Sequence, residues 1–185
     1  MKRSLIISGF GGQGVMLMGQ IIGMCAFESE KAVTVAPVYG PEQRGGTAST
    51  TVVVADTYVA SPVADEPDMV CAMNQPSLEK FLNTIRPGGI LFINSTLVKG
   101  PISRDDIEVI AAPVDDLAME IGSTKVANVI MLGVIIGYTE MVPLDVFEKV
   151  VKEKLSKKKE FAELNSKALK KGVEIANSFK QKVTA

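Results

Sequence analysis

Gly9, Gly11 and Gly14 stand in the spacing G-x-G-x-x-G, with Gly12 and Gln13 between the last two. An apolar run, Leu5-Ile6-Ile7, leads into them and a long apolar segment follows, so they read as a turn between a strand and a helix. Glycines in that context allow a tight turn and bring backbone N–H groups close to an anion at a helix N-terminus. A second stretch, Tyr39-Gly40-Pro41-Glu42-Gln43-Arg44-Gly45-Gly46-Thr47, begins with Gly-Pro and ends with Gly-Gly, which is loop composition. It gathers a carboxylate, an amide and a guanidinium, and a guanidinium holds phosphate or carboxylate bidentately. Its plainer alternative is a solvated turn with an internal Glu42–Arg44 pair. Asn128 is the third feature, a polar residue inside the apolar run 126–137.

The remaining chemical tools are few. The chain has no histidine and only two cysteines, Cys25 and Cys71. The commonest general base and transition-metal ligand is therefore missing, and two thiols cannot hold a cluster or zinc ion through four cysteines. Cys25 falls within a helix and Cys71 within a strand, so both read as buried and inert. Asp115 and Asp116 open a helix, where carboxylates suit the N-terminal dipole better than they suggest a metal. Such a chain completes a site more readily than it owns one.

The glycine pattern also fails its usual companion test. A dinucleotide fold needs an acid near the end of the second strand for the ribose hydroxyl. Here that strand reads Ala32-Val33-Thr34-Val35-Ala36 and is followed by Pro37, with no acid in reach. A stand-alone Rossmann-type nucleotide-binding oxidoreductase is thus the weaker alternative, and a non-catalytic scaffold subunit is another.

The elements that must position these residues alternate in type. Strands are expected over Ser4–Ser8, Ala32–Ala36, Ala48–Ala55, Met69–Met73, Ile90–Ile93 and Ile107–Ala111. Tyr58–Ala60 is expected to pair with the third of these across the turn at Asp56-Thr57, an antiparallel excursion. Helices are expected over Val15–Glu28, from Asn74 to about Ile85, over Val114–Ile121, Lys125–Gly137 and Pro143–Leu155, and over about 160–182. Asn94-Ser95 ends a strand, either facing a site or capping a turn. Gly19 and Gly23 lie four apart and predict close packing of the first helix on its sheet. The fold class is α/β: three α/β/α layers around a mostly parallel, Rossmann-like sheet, with a helical C-terminus.

At 185 residues with 46% hydrophobic and 22% charged content, the chain fits one globular domain spanning 1–185. No apolar run reaches the roughly 18–20 residues that span a bilayer. Lys2 and Arg3 precede an apolar run as in a signal peptide, but five glycines between positions 9 and 19 interrupt it, so a cytoplasmic protein is expected. The net charge of −1 hides an asymmetry: residues 1–147 carry 9 Lys/Arg against 16 Asp/Glu, and residues 148–185 carry 11 Lys against 5 Glu. The basic C-terminal helix has no arginine and few aromatics, which argues against nucleic acid and for a solvated face or an acidic protein partner.

Taken together, Gly9-Phe10-Gly11-Gly12-Gln13-Gly14-Val15, the stretch Tyr39–Thr47, Pro87-Gly88-Gly89 before Ile90, and Ala127-Asn128-Val129-Ile130-Met131-Leu132-Gly133 resemble the gamma subunit of 2-oxoacid:ferredoxin oxidoreductases. The resemblance runs from about Ser4 to at least Val151. It implies a subunit of an enzyme that decarboxylates a 2-oxoacid on thiamine diphosphate, passes electrons through iron–sulfur clusters to ferredoxin, and transfers the acyl group to coenzyme A. It implies alpha, beta and ferredoxin-like delta subunits as partners, with no cofactor held by this chain alone. It further suggests that Gly11, Gly12, Gln13 and Gly14 join Tyr39–Gly46 in one surface facing those subunits or coenzyme A, with Arg44 as anion anchor. Many relatives carry Asn-Cys where Ser49 and Thr50 stand here. The run Met73–Leu78 leans toward branched-chain 2-oxoacid or 2-oxoglutarate members.

Overall fold

Leu5 and Ile7 point to one face of the first strand and Ile6 to the other, and all three are buried, as suits the middle of a sheet covered on both sides. The computed structural model, which describes residues 1–39, 47–155 and 159–183, places this strand, β1 (Lys2–Phe10), at the centre. The elements that follow are α1 (Val15–Glu28), β2 (Ala32–Tyr39), β3 (Thr47–Ala55), β4 (Met69–Ala72), α2 (Gln75–Phe81), β5 (Ile90–Asn94) and β6 (Glu108–Ala112). Four helices complete the chain: α3 (Val114–Ile121), α4 (Ala127–Thr139), α5 (Leu144–Leu155) and α6 (Lys159–Val183).

The six strands form one sheet in the order β2-β3-β1-β4-β5-β6. β4 pairs with β1 in parallel, Leu5 opposite Met69, and β5 and β6 continue in the same sense. β3 alone runs against its neighbours, with Leu5 opposite Val52 on one side and Val35 opposite Val52 on the other. The antiparallel excursion is therefore β3 itself. Tyr58–Ala60 does not join it, because β1 and β2 already occupy both edges of β3; Tyr58 is exposed. Pro37 does not end β2, which continues to Tyr39. As the outermost strand it has a free edge, so the missing N–H need break no ladder bond.

The two faces are covered unequally. α2 alone packs Leu78 onto Val70, Ala72, Leu91 and Ile93, while the other five helices build the core on the opposite face. Asn74 caps α2 by accepting from Ser77 N at 3.0 Å, and the helix tightens into a 3-10 turn at Leu82–Thr84 before the Pro87 stop. α1 lies flat on β3 and β2: a Cβ on Gly19 would meet Thr50 Cγ2 at 2.7 Å, and one on Gly23 would meet Val35 Cγ2 at 2.7 Å. That is the close packing expected from the Gly19/Gly23 spacing.

α4 is apolar all round, with every residue from 127 to 137 buried among α1, α3, α5 and α6. A single 3-10 turn, Thr124–Val126, leads into it. Its tightest neighbour is α6. A Cβ on Gly172 would fall 2.1 Å from the Ile130 carbonyl oxygen and 2.8 Å from Gly133 Cα, so the two backbones touch. Ala168, Leu169 and Ala176 of α6 are buried, while Lys167 and Lys170 are exposed. The C-terminal helix thus spends its apolar stripe inside the molecule and presents lysines outward. No helix among the described residues is long and apolar enough to cross a membrane.

Candidate functional site

In open α/β sheets the crevice for ligands lies beyond the carboxyl ends of strands where the chain's winding reverses. Here that point is between β1, whose crossover leads toward β2, and β4 on the other side. The glycine turn leaves β1 there, and Met73-Asn74 leaves β4 beside it. Gln13 N donates to Phe10 O at 3.1 Å to close the turn. Gly12 has φ +101° and Gly14 φ +76°, values that L side chains rarely adopt. The three glycines of the pattern answer to different demands. Gly12, between them, has open space where a Cβ would be, so only its backbone requires glycine. A Cβ on Gly9 would lie 2.7 Å from Gln13 Oε1 and 2.9 Å from Val15 Cγ2, and one on Gly14 would lie 2.2 Å from Asn128 Nδ2. Gly11 is exposed at the tip.

Gln13 turns inward. Its Oε1 accepts from Phe10 N at 2.7 Å and from Asn74 Nδ2 at 3.0 Å, and its Nε2 donates to Met73 O at 3.3 Å. The same Met73 carbonyl accepts from Asn94 Nδ2 at 3.2 Å, and that nitrogen also donates to Asp115 Oδ2. One polar chain therefore links the glycine turn, the ends of β4 and β5, and the first turn of α3. Below it, Ser8 Oγ donates to Ser77 Oγ at 2.9 Å. Asn94 is fully buried, and its Oδ1 accepts from Thr96 N, so Asn94-Ser95 is a capped turn. Asp115 and Asp116 sit in the first turn of α3 as the dipole argument predicts, and Asp115 additionally anchors Asn94. Asn94 stands where the sequence offered either a site or a capped turn, whereas Asn74 and Asp115 are not among the site residues expected from sequence; the available signal for Asn74 is its place just after β4.

Of the second loop, the structure describes the flanks. Tyr39 lies opposite Ala48, which lies opposite Gly9, and Thr47 lies opposite Phe10. Tyr39 is 70% exposed and Phe10 37%, an aromatic rim beside the glycine turn. Gly40, Pro41, Glu42, Gln43, Arg44, Gly45 and Gly46 lie outside the described residues. Asn128, from the far end of the chain, is brought onto Gly14.

Among the described residues this set of amides, backbone N–H groups and two hydroxyls can bind and orient, and neither thiol adds a nucleophile. Burial pushes the Cys25 thiol up to about 12 and raises Cys71 as well, so neither is available as thiolate. The strand order adds a second argument against a dinucleotide site. β3 stands between β1 and β2, so the end of β2 is two strand spacings, about 10 Å, from the glycine turn's own strand.

Comparison with known proteins adds three findings. The family described as pyruvate ferredoxin/flavodoxin oxidoreductase matches residues 4–175. The ketoisovalerate oxidoreductase subunit VorA of Methanothermobacter thermautotrophicus is 36% identical over 172 residues, 92% of this chain but 35% of that protein. The chain thus spans about a third of the length of that relative. The 2-oxoglutarate synthase subunit KorC of Methanocaldococcus jannaschii is 33% identical over 180 residues and matches 95% of each chain. Among solved structures, the keto/oxoacid ferredoxin oxidoreductase gamma subunit of Geobacter sulfurreducens superposes with TM-score 0.82 at 30% identity, covering 95% of this chain and 99% of that one.

Proposed function

The chain belongs to the pyruvate ferredoxin/flavodoxin oxidoreductase family, and from that membership we propose that it is the gamma-type subunit of a 2-oxoacid:ferredoxin oxidoreductase. The complex oxidatively decarboxylates a 2-oxoacid to an acyl-CoA and passes the electrons to ferredoxin. The observation that carries this reading is the pairing of the family match with a site made of amides and backbone N–H groups. A chain that positions, in a complex where others react, needs that chemistry and no more.

The cofactors divide accordingly. Cys25 and Cys71 are the chain's two thiols, too few for a four-cysteine cluster, and the iron–sulfur clusters are assigned to a ferredoxin-like subunit. Thiamine diphosphate is assigned to the alpha and beta subunits, as membership of the family implies. Coenzyme A fits better, because its phosphoryl oxygens suit N–H donors and a guanidinium. The surface at Gly11–Gly14 and Tyr39 is assigned to face those subunits or to line the approach of coenzyme A, and Arg44, outside the described residues, is assigned as its anion anchor. Similarity to a ketoisovalerate and a 2-oxoglutarate enzyme supports a branched-chain 2-oxoacid or 2-oxoglutarate as substrate.

Arg44→Ala in the assembled complex tests the anchor. Losing a charge-assisted hydrogen bond of about 1.5–3 kcal/mol should raise the KM for coenzyme A by roughly 10- to 100-fold or prevent assembly. Unchanged assembly together with an unchanged KM would remove Arg44 from the role.

A further inference from the structure

Ile6, on the face that α2 covers, lies opposite Thr51, and Thr51 lies opposite Ala36. Two residues along, Ser8 lies opposite Ser49, and Ser49 opposite Val38. Cross-strand rows of this kind share a face, so β3 and β2 extend the α2 face of the sheet. The core beneath α2 takes in Ile6 and residues of β4 and β5 but none of β2 or β3. Ala36, Ser49 and Thr51 are only half-buried, and Val38 is 56% exposed. Because α2 rests on β4 and β1, this corner of the face stands open.

The corner continues onto a free edge. β2 is the outermost strand, with β3 on one side and no strand among the described residues on the other. Such edges are usually blunted by charged side chains, proline or a covering element, because their unpaired N–H and C=O groups recruit other strands. β2 has Pro37, but neither Ala32–Tyr39 nor Thr47–Ala55 contains a charged residue. On the α1 side of the edge, Met24, Phe27, Val33 and Val35 line an open groove in which Phe27 is 77% exposed. Glu28 and Lys154 stand at its rim, and Glu28 is already paired with Lys149 at 2.8 Å. Apolar surface therefore flanks the edge on both sides of the sheet, the mark of an interaction site. A charged surface buried against these strands would lose its water and find no counter-charge. The matching surface is thus uncharged, unlike the acidic one that the lysines of α5 and α6 would attract.

Two relatives bear on what covers it. This chain matches 95% of KorC but only 35% of VorA. The same domain therefore occurs alone and as the lesser part of a longer polypeptide. We propose that the free edge of β2 and the open corner beside it dock the separate polypeptide that corresponds to the rest of VorA. That partner adds a strand to β2 and lays an uncharged, largely apolar surface over Ala36, Val38, Ser49 and Thr51. The proposal rests on the subunit reading above and gives it a surface. The surface is continuous with the rim of Phe10 and Tyr39, which lie opposite Thr47 and Ala48 of β3. A second copy of this chain fits less well. Pro37 offers no N–H to the edge, and a two-fold pairing of β2 with itself carries that loss twice.

The test uses the full chain co-expressed with the polypeptide from its own source that matches the rest of VorA. Hydrogen–deuterium exchange is compared between the purified complex and the chain alone. Exchange at the edge-facing amides of Ala32–Tyr39 should slow about ten-fold or more in the complex. Amides of β4 and β5, paired on both sides already, should not change. Val38→Lys, at a largely exposed position, should keep the melting temperature and weaken the complex about ten-fold or more, and Ala36→Lys should do the same. Lys167→Glu combined with Lys170→Glu on α6 should leave the affinity unchanged. Protection that falls on α5 and α6 and not on β2 overturns this surface while the subunit reading stands. Wild-type affinity in both Val38→Lys and Ala36→Lys does the same. A chain that by itself has the mass of a dimer, with β2 protected, assigns the edge to a second copy and also overturns it. Failure to form any complex with that polypeptide removes the subunit reading and this proposal together.

Discussion

Gln13 is the residue on which the shape of the glycine turn depends most, and its removal has a calculable consequence. In Gln13→Ala three hydrogen bonds disappear, but their losses are unequal. Phe10 N belongs to a residue 37% exposed and can turn to water. The Met73 carbonyl keeps its bond from Asn94 Nδ2. Asn74 is only 2% exposed, so its Nδ2 loses its acceptor in a place water scarcely reaches. Orphaning one buried donor costs about 1–3 kcal/mol, and the central expectation is about 2 kcal/mol. For a chain of this size that corresponds to a melting temperature lower by roughly 4–8 °C. Urea titration and thermal melting followed by far-UV circular dichroism measure both quantities. Gln13→Glu sharpens the test. It sets a carboxylate oxygen where Nε2 now donates to Met73 O, which should raise that carboxyl's folded-state pKa. The carboxyl's contribution is then present at acid pH and lost as pH rises through the raised value, so the variant should be closest to wild type in acid and weakest at neutral pH. A Gln13→Ala change below about 0.5 kcal/mol, the size of an ordinary surface substitution, would refute the clamp.

Other perturbations probe the scaffold. Gly172→Ala forces a Cβ to within 2.1 Å of the Ile130 carbonyl at the α4–α6 crossing, and overpacking there should cost about 3 kcal/mol, or roughly 6–12 °C in melting temperature. Native protein should leave Cys25 and Cys71 unreactive toward a thiol reagent at mildly alkaline pH, with both reacting in urea; burial pushes Cys25 up to about 12. The Arg104 guanidinium holds the Asp106 carboxyl below its usual range, and the N-terminus and Lys31 do the same for Asp56. Because these folded-state values are depressed, the stabilisation is present at neutral pH and is lost as pH falls below about 4 through them. Denaturation midpoints from pH 7 to pH 2 should show that decline, and Asp106→Asn should flatten it.

Much of the scaffold was legible because local chemistry dictated it. The apolar run Leu5–Ile7, the Gly19/Gly23 spacing and the Arg86-Pro87-Gly88-Gly89 stop each act over a few residues, and each lies where expected. Pro37 misled because its effect depends on whether a neighbouring strand needs its N–H, which only the sheet order decides. The same order hid the identity of the antiparallel strand: the sequence of β3 fits either direction, and the pairing of Leu5 with Val52 is long-range. Within the site, the glycines were visible but the reasons for them were not. Gly14 answers to Asn128, more than a hundred residues away, and Gln13 answers to Met73 and Asn74. An inward-turned amide and a solvent-facing one have the same letter in a sequence. The basic C-terminal stretch could be read as a helix with a charged face, but the packing of its apolar stripe on α4 is a long-range contact that composition does not disclose.

The subunit reading is tested most directly by recovering the chain from its native source through an affinity tag, under anaerobic conditions, and identifying what accompanies it. The account predicts a thiamine-diphosphate-binding subunit and a ferredoxin-like subunit in stable proportion, with coenzyme A-dependent oxidation of a 2-oxoacid by the recovered complex. Recovery of the chain by itself, carrying a bound nucleotide and lacking that activity, would contradict it.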